Sequence, residues 1–199
     1  KTLVGPHGKP RCHWCGATPE YIDYHDTEWG FPIKDDQRLF EKICLEGFQS
    51  GLSWRTILEK RENFRKAFKN FDFNKVARFT EKDVERLLQD AGIVRHRGKI
   101  EATINNAKCA KELVKLEGSL AAFFWKYEPD PKTQAAPQTV SVTEGSKRLS
   151  KDLKKMGWKF IGPTTVFVFM QAMGLVNDHN TECVTGAAVV KARERFKRP

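Results

Sequence analysis

The stretch Ala-Gly-Ile-Val-Arg-His-Arg-Gly-Lys at residues 91–99 decides the fold, because it lies between two segments whose apolar residues follow helical spacing. The first segment begins near Asp83 and the second extends to Leu113, so the sequence predicts two helices joined by a short hairpin. The first backbone N–H groups of the second helix have no partner within that helix, and the helix dipole favours an anion beside them. The hairpin is therefore a candidate site for an anionic group.

Two glycines bracket a basic turn in this hairpin, and we interpret that pattern as a clamp for a DNA phosphate backbone. Ile93 would anchor the turn to the core. The alternative interpretation is an ordinary pair of helices joined by a solvated basic loop. The residues predicted to contact DNA here are Gly92, Arg95, His96, Arg97, Gly98 and Lys99.

The rest of the chain also shows mostly helical apolar spacing, and alternating strand-like patterns are scarce. Residues that favour a helix start precede several apolar segments. We therefore predict an all-α fold, either as one compact unit or as two tightly joined lobes. The predicted helix starts are Asp35 or Asp36, Ser53 (with the helix continuing to Phe68), Thr80, Ser119, Thr143 or Ser146, and Pro163 (opening a last long helix to Gly174).

The chain of 199 residues has 35 Lys and Arg against 25 Asp and Glu, a formal net charge of +10. A basic surface gains free energy on a phosphate backbone by releasing counterions, so this charge suggests a polyanion partner. The alternative is a basic protein without a nucleic-acid role. Most of the excess lies near the two ends of the chain. We expect a basic N-terminal tail at 1–11, a helical domain at 12–183 and a basic C-terminal tail at 184–199.

Composition also limits the class of protein. Hydrophobic residues make up 40% of the chain and aromatic residues 11%, which argues against intrinsic disorder. No apolar run approaches the roughly 20 residues that a membrane-spanning helix needs. No secretory signal segment is evident, so we expect a cytoplasmic protein. We also expect the protein to be a monomer.

The five cysteines do not suggest a disulfide framework, because their number is odd. Cys12 and Cys15 form a single CxxC pair near one end of the chain, and His179 and Cys183 are four residues apart near the other. Two ligands from each end would complete a tetrahedral zinc site. Spacing leaves open whether the first pair is Cys12 with Cys15 or Cys12 with His25. The alternative is a set of unpaired His and Cys side chains near the termini.

A single carboxylate, Glu46, lies at the end of an apolar helical segment. A negative charge near a helix C-terminus opposes the helix dipole, which favours a functional role for it. Tyr21, Tyr24, Trp29 and Trp54 could form a stacking pocket for a flipped base, with Glu46 accepting from the exocyclic amine of that base. The alternative is that these aromatic residues belong to the core.

The turn at Gly51, Leu52 and Ser53 presents one apolar residue between two helical segments. We predict that Leu52 is exposed there and inserts into a base stack as a wedge. The alternative is a tight turn with Leu52 packed into the core.

Several motifs together resemble one known family. They are Tyr-Ile-x-Tyr-His-Asp-x-Glu-Trp-Gly (21–30), Ile-Cys-Leu-Glu-Gly-x-Gln-x-Gly-Leu-Ser-Trp (43–54), Asp-Ala-Gly-Ile-x-Arg-His-Arg-Gly-Lys-Ile (90–100) and Gly-Leu-Val-Asn-Asp-His (174–179). In this order they resemble the bacterial 3-methyladenine DNA glycosylase I family, from about Arg11 to Cys183. The resemblance implies a helix-hairpin-helix glycosylase fold in which one structural zinc joins the N- and C-terminal regions.

The resemblance also implies the site residues. It places the zinc ligands at Cys12, His25, His179 and Cys183. It implies a base pocket made by Glu46, Tyr24 and Trp54 as catalytic residues, with Tyr21 and Trp14 binding the substrate, a wedge at 51–53 and a DNA-binding hairpin at 91–99. At Phe48 the chain departs from the family, which carries Gln there, so Phe48 is a further candidate substrate-binding position.

The activity implied is monofunctional hydrolysis of the N-glycosidic bond of 3-methyladenine, flipped out of alkylated duplex DNA. Methylation at N3 makes the base a cationic and labile leaving group, so little acid catalysis is needed. Stacking of Trp54 on an electron-poor ring would add a cation–π contact. No lysine of the hairpin region is assigned as a Schiff-base nucleophile, so no lyase step is expected.

Overall fold

The computed structural model describes all 199 residues. It contains eleven α-helices and one antiparallel pair of short strands, joined by turns and loops. The prediction of a helical fold is therefore confirmed, with one short β-hairpin added. The strands are β1 (Thr2–Val4) and β2 (Pro10–Cys12). The helices are α1 (Pro19–Thr27), α2 (Asp36–Gln49), α3 (Trp54–Glu59), α4 (Arg61–Ala67), α5 (Phe73–Val76), α6 (Glu81–Leu88), α7 (Arg97–Glu117), α8 (Leu120–Trp125), α9 (Glu144–Lys155), α10 (Pro163–Ala172) and α11 (Val184–Arg195).

Helix α2 lies at the centre of the molecule and is buried from Lys42 to Phe48. It packs against α3, α7, α8 and α10, so every face of its second half meets another helix. Its start is fixed by Asp35, whose carboxylate accepts from the backbone N–H of Arg38 at 2.8 Å. A central helix of this kind can present an internal polar side chain to a pocket without exposing it to bulk water.

The predicted helix starts are largely confirmed, because the capping side chains make the expected bonds. Thr80 and Asp83 bond reciprocally at the start of α6, and Thr143 and Ser146 do so at the start of α9. Ser119 accepts from the backbone of α8, and Pro163 occupies the first turn of α10.

The predicted helix from Ser53 to Phe68 is interrupted in the structure. Lys60 lies outside regular helical geometry, with ψ near 0°, and separates α3 from α4. After α4, Lys69, Asn70 and Phe71 all have positive φ values, so the chain turns sharply before α5. Apolar spacing alone did not reveal the break, because both short helices bury the same side of the segment.

The segments predicted as basic tails, 1–11 and 184–199, are held against the rest of the chain. Arg11 is 6% exposed, and its guanidinium donates to the Asp26 carboxylate at 2.9 Å, so the N-terminal segment is held against α1. At the other end α11 buries Val189, and the Phe196 ring packs on Trp125 at 4.6 Å. Both segments fold because these side chains bury apolar surface or pair their charge. The last helix is α11, not α10.

None of the helices combines the length and apolar character needed to cross a membrane.

Candidate functional site

Four side chains from both ends of the chain converge on one point. Cys12 ends β2, His25 lies on α1, and His179 and Cys183 flank the turn before α11. The Cys183 Sγ is 3.5 Å from both His25 Nε2 and His179 Nδ1, and the Cys12 Sγ is 3.7 Å from His179 Nδ1. All four ligand atoms lie within 4.8 Å of one another, and all four residues are buried. The predicted cluster is therefore formed and could hold a metal ion.

The outer nitrogens of both imidazoles have partners, which fixes the ring orientations. His25 Nδ1 is 2.8 Å from the Asp26 carboxylate, and His179 Nε2 is 2.8 Å from the Trp29 carbonyl. Acceptors at these positions are usual behind metal-bound histidines. Contacts with Cys12 and with both imidazoles hold the pKa of the Cys183 thiol well below its usual range, despite burial. The cluster therefore favours a thiolate, the form in which cysteine binds metals.

Cys15 is not part of the cluster, which answers the question that spacing left open. It is buried, and its thiol donates to the Cys12 carbonyl at 3.1 Å. That bond closes the turn after β2 and leaves the fourth position of the cluster to His25.

A row of aromatic rings leads from the cluster to α3. The ring centroids of Trp14 and Tyr21 are 5.0 Å apart, those of Tyr21 and Tyr24 6.5 Å, and those of Tyr24 and Trp54 5.4 Å. Tyr24 and Trp54 are buried, whereas Trp14 and Tyr21 are partly exposed. The buried indole N–H of Trp54 has no hydrogen-bond partner. Three of the aromatic residues predicted for a stacking pocket, Tyr21, Tyr24 and Trp54, are thus brought together.

Glu46 lies at the inner end of this row, 3% exposed, in the last turn of α2. Its carboxylate is 2.7 Å from the ammonium of Lys42, which also donates to the Tyr24 hydroxyl at 2.7 Å. The same ammonium lies over the Trp54 ring, 3.1 Å from its centroid. Burial raises the pKa of Glu46 and lowers the pKa of Lys42 to about 8. The pocket therefore contains a desolvated ion pair rather than a lone carboxylate.

The hairpin between α6 and α7 forms as predicted. Ile93 is 3% exposed and anchors the turn, while the Asp90 carboxylate accepts from the Gly92 N–H at 2.8 Å. His96 caps α7 by accepting from the Lys99 N–H at 3.0 Å. The side chains of Arg95 and His96 are exposed. Helix α7 begins at Arg97, so Gly98 lies inside its first turn.

Two basic residues of the hairpin, Arg97 and Lys99, make contacts within the protein. Lys99 is 8% exposed, and its ammonium donates to the carbonyls of Phe48 and Ser50 at 3.0 and 2.5 Å. Lys99 thus ties α7 to the end of α2. The guanidinium of Arg97 pairs with the carboxylates of Glu81, Glu85 and Glu101.

The turn at 51–53 exposes its apolar residue, so the alternative of a buried Leu52 is wrong. Leu52 is 44% exposed, and Gly51 has a φ of +81°, a conformation that favours glycine. Ser53 then caps α3 by accepting from the Thr56 N–H at 3.2 Å. Lys99 holds the backbone just before this turn, so the turn and the hairpin form one continuous surface.

Comparison with known proteins agrees with this arrangement. Residues 14–186 match the family model described as methyladenine glycosylase. The chain is 50% identical over 177 residues to a DNA-3-methyladenine glycosylase of Haemophilus influenzae, covering 87% of this chain and 96% of that protein. It is also 50% identical over 177 residues to DNA-3-methyladenine glycosylase 1 of Escherichia coli, covering 87% of this chain and 95% of that protein. This chain belongs to the methyladenine glycosylase family.

Solved structures of the methyladenine glycosylase family share the fold. A crystal structure of 3-methyladenine DNA glycosylase I superposes with a TM-score of 0.82 at 48% identity, covering 87% of this chain and 98% of that one. A variant of 3-methyladenine DNA glycosylase I in complex with 3-methyladenine superposes with a TM-score of 0.83 at 38% identity, covering 88% and 96%.

Two residues predicted for the pocket of this methyladenine glycosylase family member lie elsewhere. Phe48 is 1% exposed and packs on Phe64, 4.7 Å between ring centroids, so it belongs to the core and not to the substrate-binding surface. Trp29 lies against the metal cluster, with its ring 4.6 Å from that of His179. Phe48 points away from Glu46 on α2, and Trp29 lies in the segment that follows α1.

Sequence reasoning missed two residues near the candidate site of this methyladenine glycosylase family member. Lys42 lies four residues before Glu46 in an apolar helix, and that spacing was the available signal for an internal ion pair. Phe160 is 42% exposed with a φ of +55°, and its ring lies 6.1 Å from that of His96, beside the hairpin. A bulky residue with positive φ is unusual, and nothing in the sequence indicates it.

Proposed function

We propose that the protein is a monofunctional DNA glycosylase that flips 3-methyladenine out of alkylated duplex DNA and hydrolyses its N-glycosidic bond. The observation that carries this proposal is the buried Glu46 carboxylate beside Trp54 and Tyr24, in a chain of the methyladenine glycosylase family. Relatives with half of their residues identical to this chain are named for that activity. The substrate is DNA that carries alkylated bases.

The reaction needs little from the protein beyond binding and orientation. The N3-methylated base carries a positive charge while it is bonded to deoxyribose. When the glycosidic bond breaks, its electron pair moves onto the base, which leaves neutral. Water adds to the sugar carbon and releases a proton. We assign Trp54 to stack on the flipped base and Glu46 to accept from its exocyclic amine, with the Tyr24 hydroxyl beside them. Lys99 is held by two carbonyls, so we assign it no nucleophilic role.

We assign the DNA-binding surface to the hairpin and the turn at 51–53. Exposed Arg95 and His96 lie beside the N-terminus of α7, whose free N–H groups suit a phosphate. Gly92 and Gly98 keep side chains out of the approach to the backbone. Exposed Leu52 would fill the space in the base stack that the flipped base vacates.

Arg95→Gln should lower the slope of log binding constant against log salt concentration by about 1, because one phosphate contact is lost. Arg97→Gln should leave that slope unchanged, since three carboxylates already neutralise Arg97. The measurement is duplex-DNA binding by fluorescence anisotropy at several salt concentrations. Equal slopes for wild type and Arg95→Gln would contradict the assignment of Arg95.

Lys99→Met should act on stability rather than on the salt slope. It removes two hydrogen bonds from a buried ammonium to carbonyls, and we expect a loss of about 1 to 3 kcal/mol in the free energy of unfolding. Urea denaturation measures this loss. A stable variant with a reduced salt slope would restore Lys99 as a phosphate contact.

Leu52→Ala should slow excision from duplex DNA by about tenfold, because the wedge that replaces the flipped base is shortened. Excision from single-stranded DNA of the same sequence should change little, since no base stack needs filling there. The exposed Val140→Ala variant serves as a control for loss of apolar surface. If excision slowed equally on duplex and single-stranded DNA, Leu52 would not act as a wedge.

We infer that the cluster of Cys12, His25, His179 and Cys183 holds one structural zinc ion. The sulfur–nitrogen separations of 3.5 to 3.7 Å fit the edge of a tetrahedral zinc site, about 3.6 Å from usual Zn–S and Zn–N bond lengths. Two thiols and two imidazoles are also a donor set that zinc prefers. A zinc ion there would join β2, α1 and the turn before α11. Because all four protein ligands are present, we assign the ion no part in the reaction.

A further inference from the structure

A positive charge already occupies the best position for a cation in the proposed base pocket. The ammonium of Lys42 lies 3.1 Å from the centroid of the Trp54 ring and 2.7 Å from the Glu46 carboxylate. Its side chain is 7% exposed. An aromatic face and a carboxylate in a desolvated site are the two features that would attract a cationic base. The ammonium of Lys42 already contacts both the aromatic face and the carboxylate.

Two cations cannot share this position without a large repulsion, because little water screens them. The surrounding charges do not change that balance. Arg61 forms a bidentate pair with Glu28 at 2.7 and 2.8 Å, and Arg65 pairs with Glu41 at 2.8 Å. In each pair the positive charge of the arginine is balanced by the negative charge of its glutamate. The remaining groups that face Lys42 are the carboxylate of Glu46 and the hydroxyl of Tyr24, together with Arg38 at the edge of the cavity.

We propose that Lys42 determines the charge selectivity of the base pocket, and that a cationic base binds only to the form in which Lys42 has lost its proton. The lost proton goes to solvent, and the neutral amine can then turn away from Trp54. This proposal rests on the proposed function, because it takes Trp54 and Glu46 as the base-binding residues. It adds a residue that neither the fold nor the reaction requires.

Proton loss is an accessible route, because burial lowers the pKa of Lys42 to about 8. Below that pH, each unit of pH should weaken binding of a cation by about tenfold. Above it, binding should become independent of pH. A neutral base does not require the proton to leave, so its affinity should change little over the same range.

The test uses two small probes that cannot be excised. One is 3,9-dimethyladeninium, which is a cation at every pH used, and the other is neutral 9-methyladenine. Calorimetric titration of the full chain between pH 6 and pH 9 gives the dissociation constant of each. We expect the constant for the cation to fall about 50-fold between pH 6 and pH 8 and to level off by about pH 9. A constant that does not change with pH would overturn the proposal.

Substitutions separate Lys42 from the other titrating groups. Lys42→Met should bind the cation about tenfold more tightly than wild type at pH 7, since the resident charge is gone. Lys42→Arg keeps a charge at every pH and should bind the cation weakly up to pH 9. Lys126→Met, which removes an exposed lysine paired with Glu117, serves as the matched control. Weaker cation binding by Lys42→Met would overturn the proposal.

A measurement on the wild type covers the case in which the variants do not fold. Because linkage is reciprocal, a saturating concentration of 3,9-dimethyladeninium should lower the titration midpoint of Lys42, followed by NMR of its ε-carbon. An unchanged midpoint would count against the proposal, as would binding of neither probe. If the probes behave as expected but no base is released from methylated DNA, the proposed function fails and the charge selectivity stands.

Discussion

Glu46→Gln should reduce kcat/KM for release of 3-methyladenine by about 100-fold while duplex affinity changes by less than about twofold. The substitution keeps the shape of the side chain but removes its charge at 3% exposure, where a charge interacts strongly. It also removes the negative charge that would attract a cationic base. The phosphate contacts that we propose lie on the hairpin, and none of them involves Glu46.

The matched control for this prediction is Glu59→Gln. Glu59 is exposed and pairs with Arg55 on α3, close to Trp54 in sequence but outside the pocket. It should leave excision and DNA binding unchanged. The measurements are single-turnover release of the base and fluorescence anisotropy on the same duplex. If Glu46→Gln lost affinity for DNA and excision to the same extent, Glu46 would act in folding or backbone binding instead of base recognition.

Cys12→Ser should abolish metal binding and destabilise the whole chain by several kcal/mol. A structural zinc site contributes its binding free energy to folding, and the proposed site would join the two ends of the chain. Its loss would release the β-hairpin and the turn before α11, and with them the support behind α1. Because α1 carries Tyr21 and Tyr24, the base pocket should also lose its shape.

Cys15→Ser is the matched control, since Cys15 is three residues away and equally buried but lies outside the cluster. It should retain about one zinc per chain and most of the stability. Zinc content is measured by elemental analysis, and stability by thermal unfolding with and without a chelator. A Cys12→Ser protein with full zinc content and unchanged stability would rule out the proposed ligand set.

Local sequence signals predicted much of the fold. The residues that start α2, α6, α8 and α9 form the expected caps, because a capping bond depends on a few adjacent residues. The break at Lys60 was not visible, since α3 and α4 bury the same side of the segment. At the ends of the chain, the sequence did not indicate that Arg11 pairs with Asp26 and Arg198 with Glu128, because these partners are not adjacent in sequence.

For the site, sequence reasoning identified the acidic and aromatic residues but not the internal contacts of the lysines. Glu46 is conspicuous in an apolar segment, whereas Lys42 and Lys99 look like ordinary surface lysines until the fold buries them. The pairing of Arg97 with Glu81 and Glu85 was not visible in the sequence, because these residues come together only when α6 and α7 pack. Phe48 was predicted as a substrate-binding position because of its place in the sequence, whereas the structure packs it in the core beside Phe64.

The most direct test of the proposed function is the release of free 3-methyladenine from methylated duplex DNA. The purified full chain is incubated with that DNA, and the free bases are separated by chromatography. We expect 3-methyladenine among the released bases, no strand cleavage beyond spontaneous breakage, and strongly reduced release by Glu46→Gln. Binding to the methylated duplex without release of any base would contradict it, and would indicate a protein that recognises alkylated DNA without excising from it.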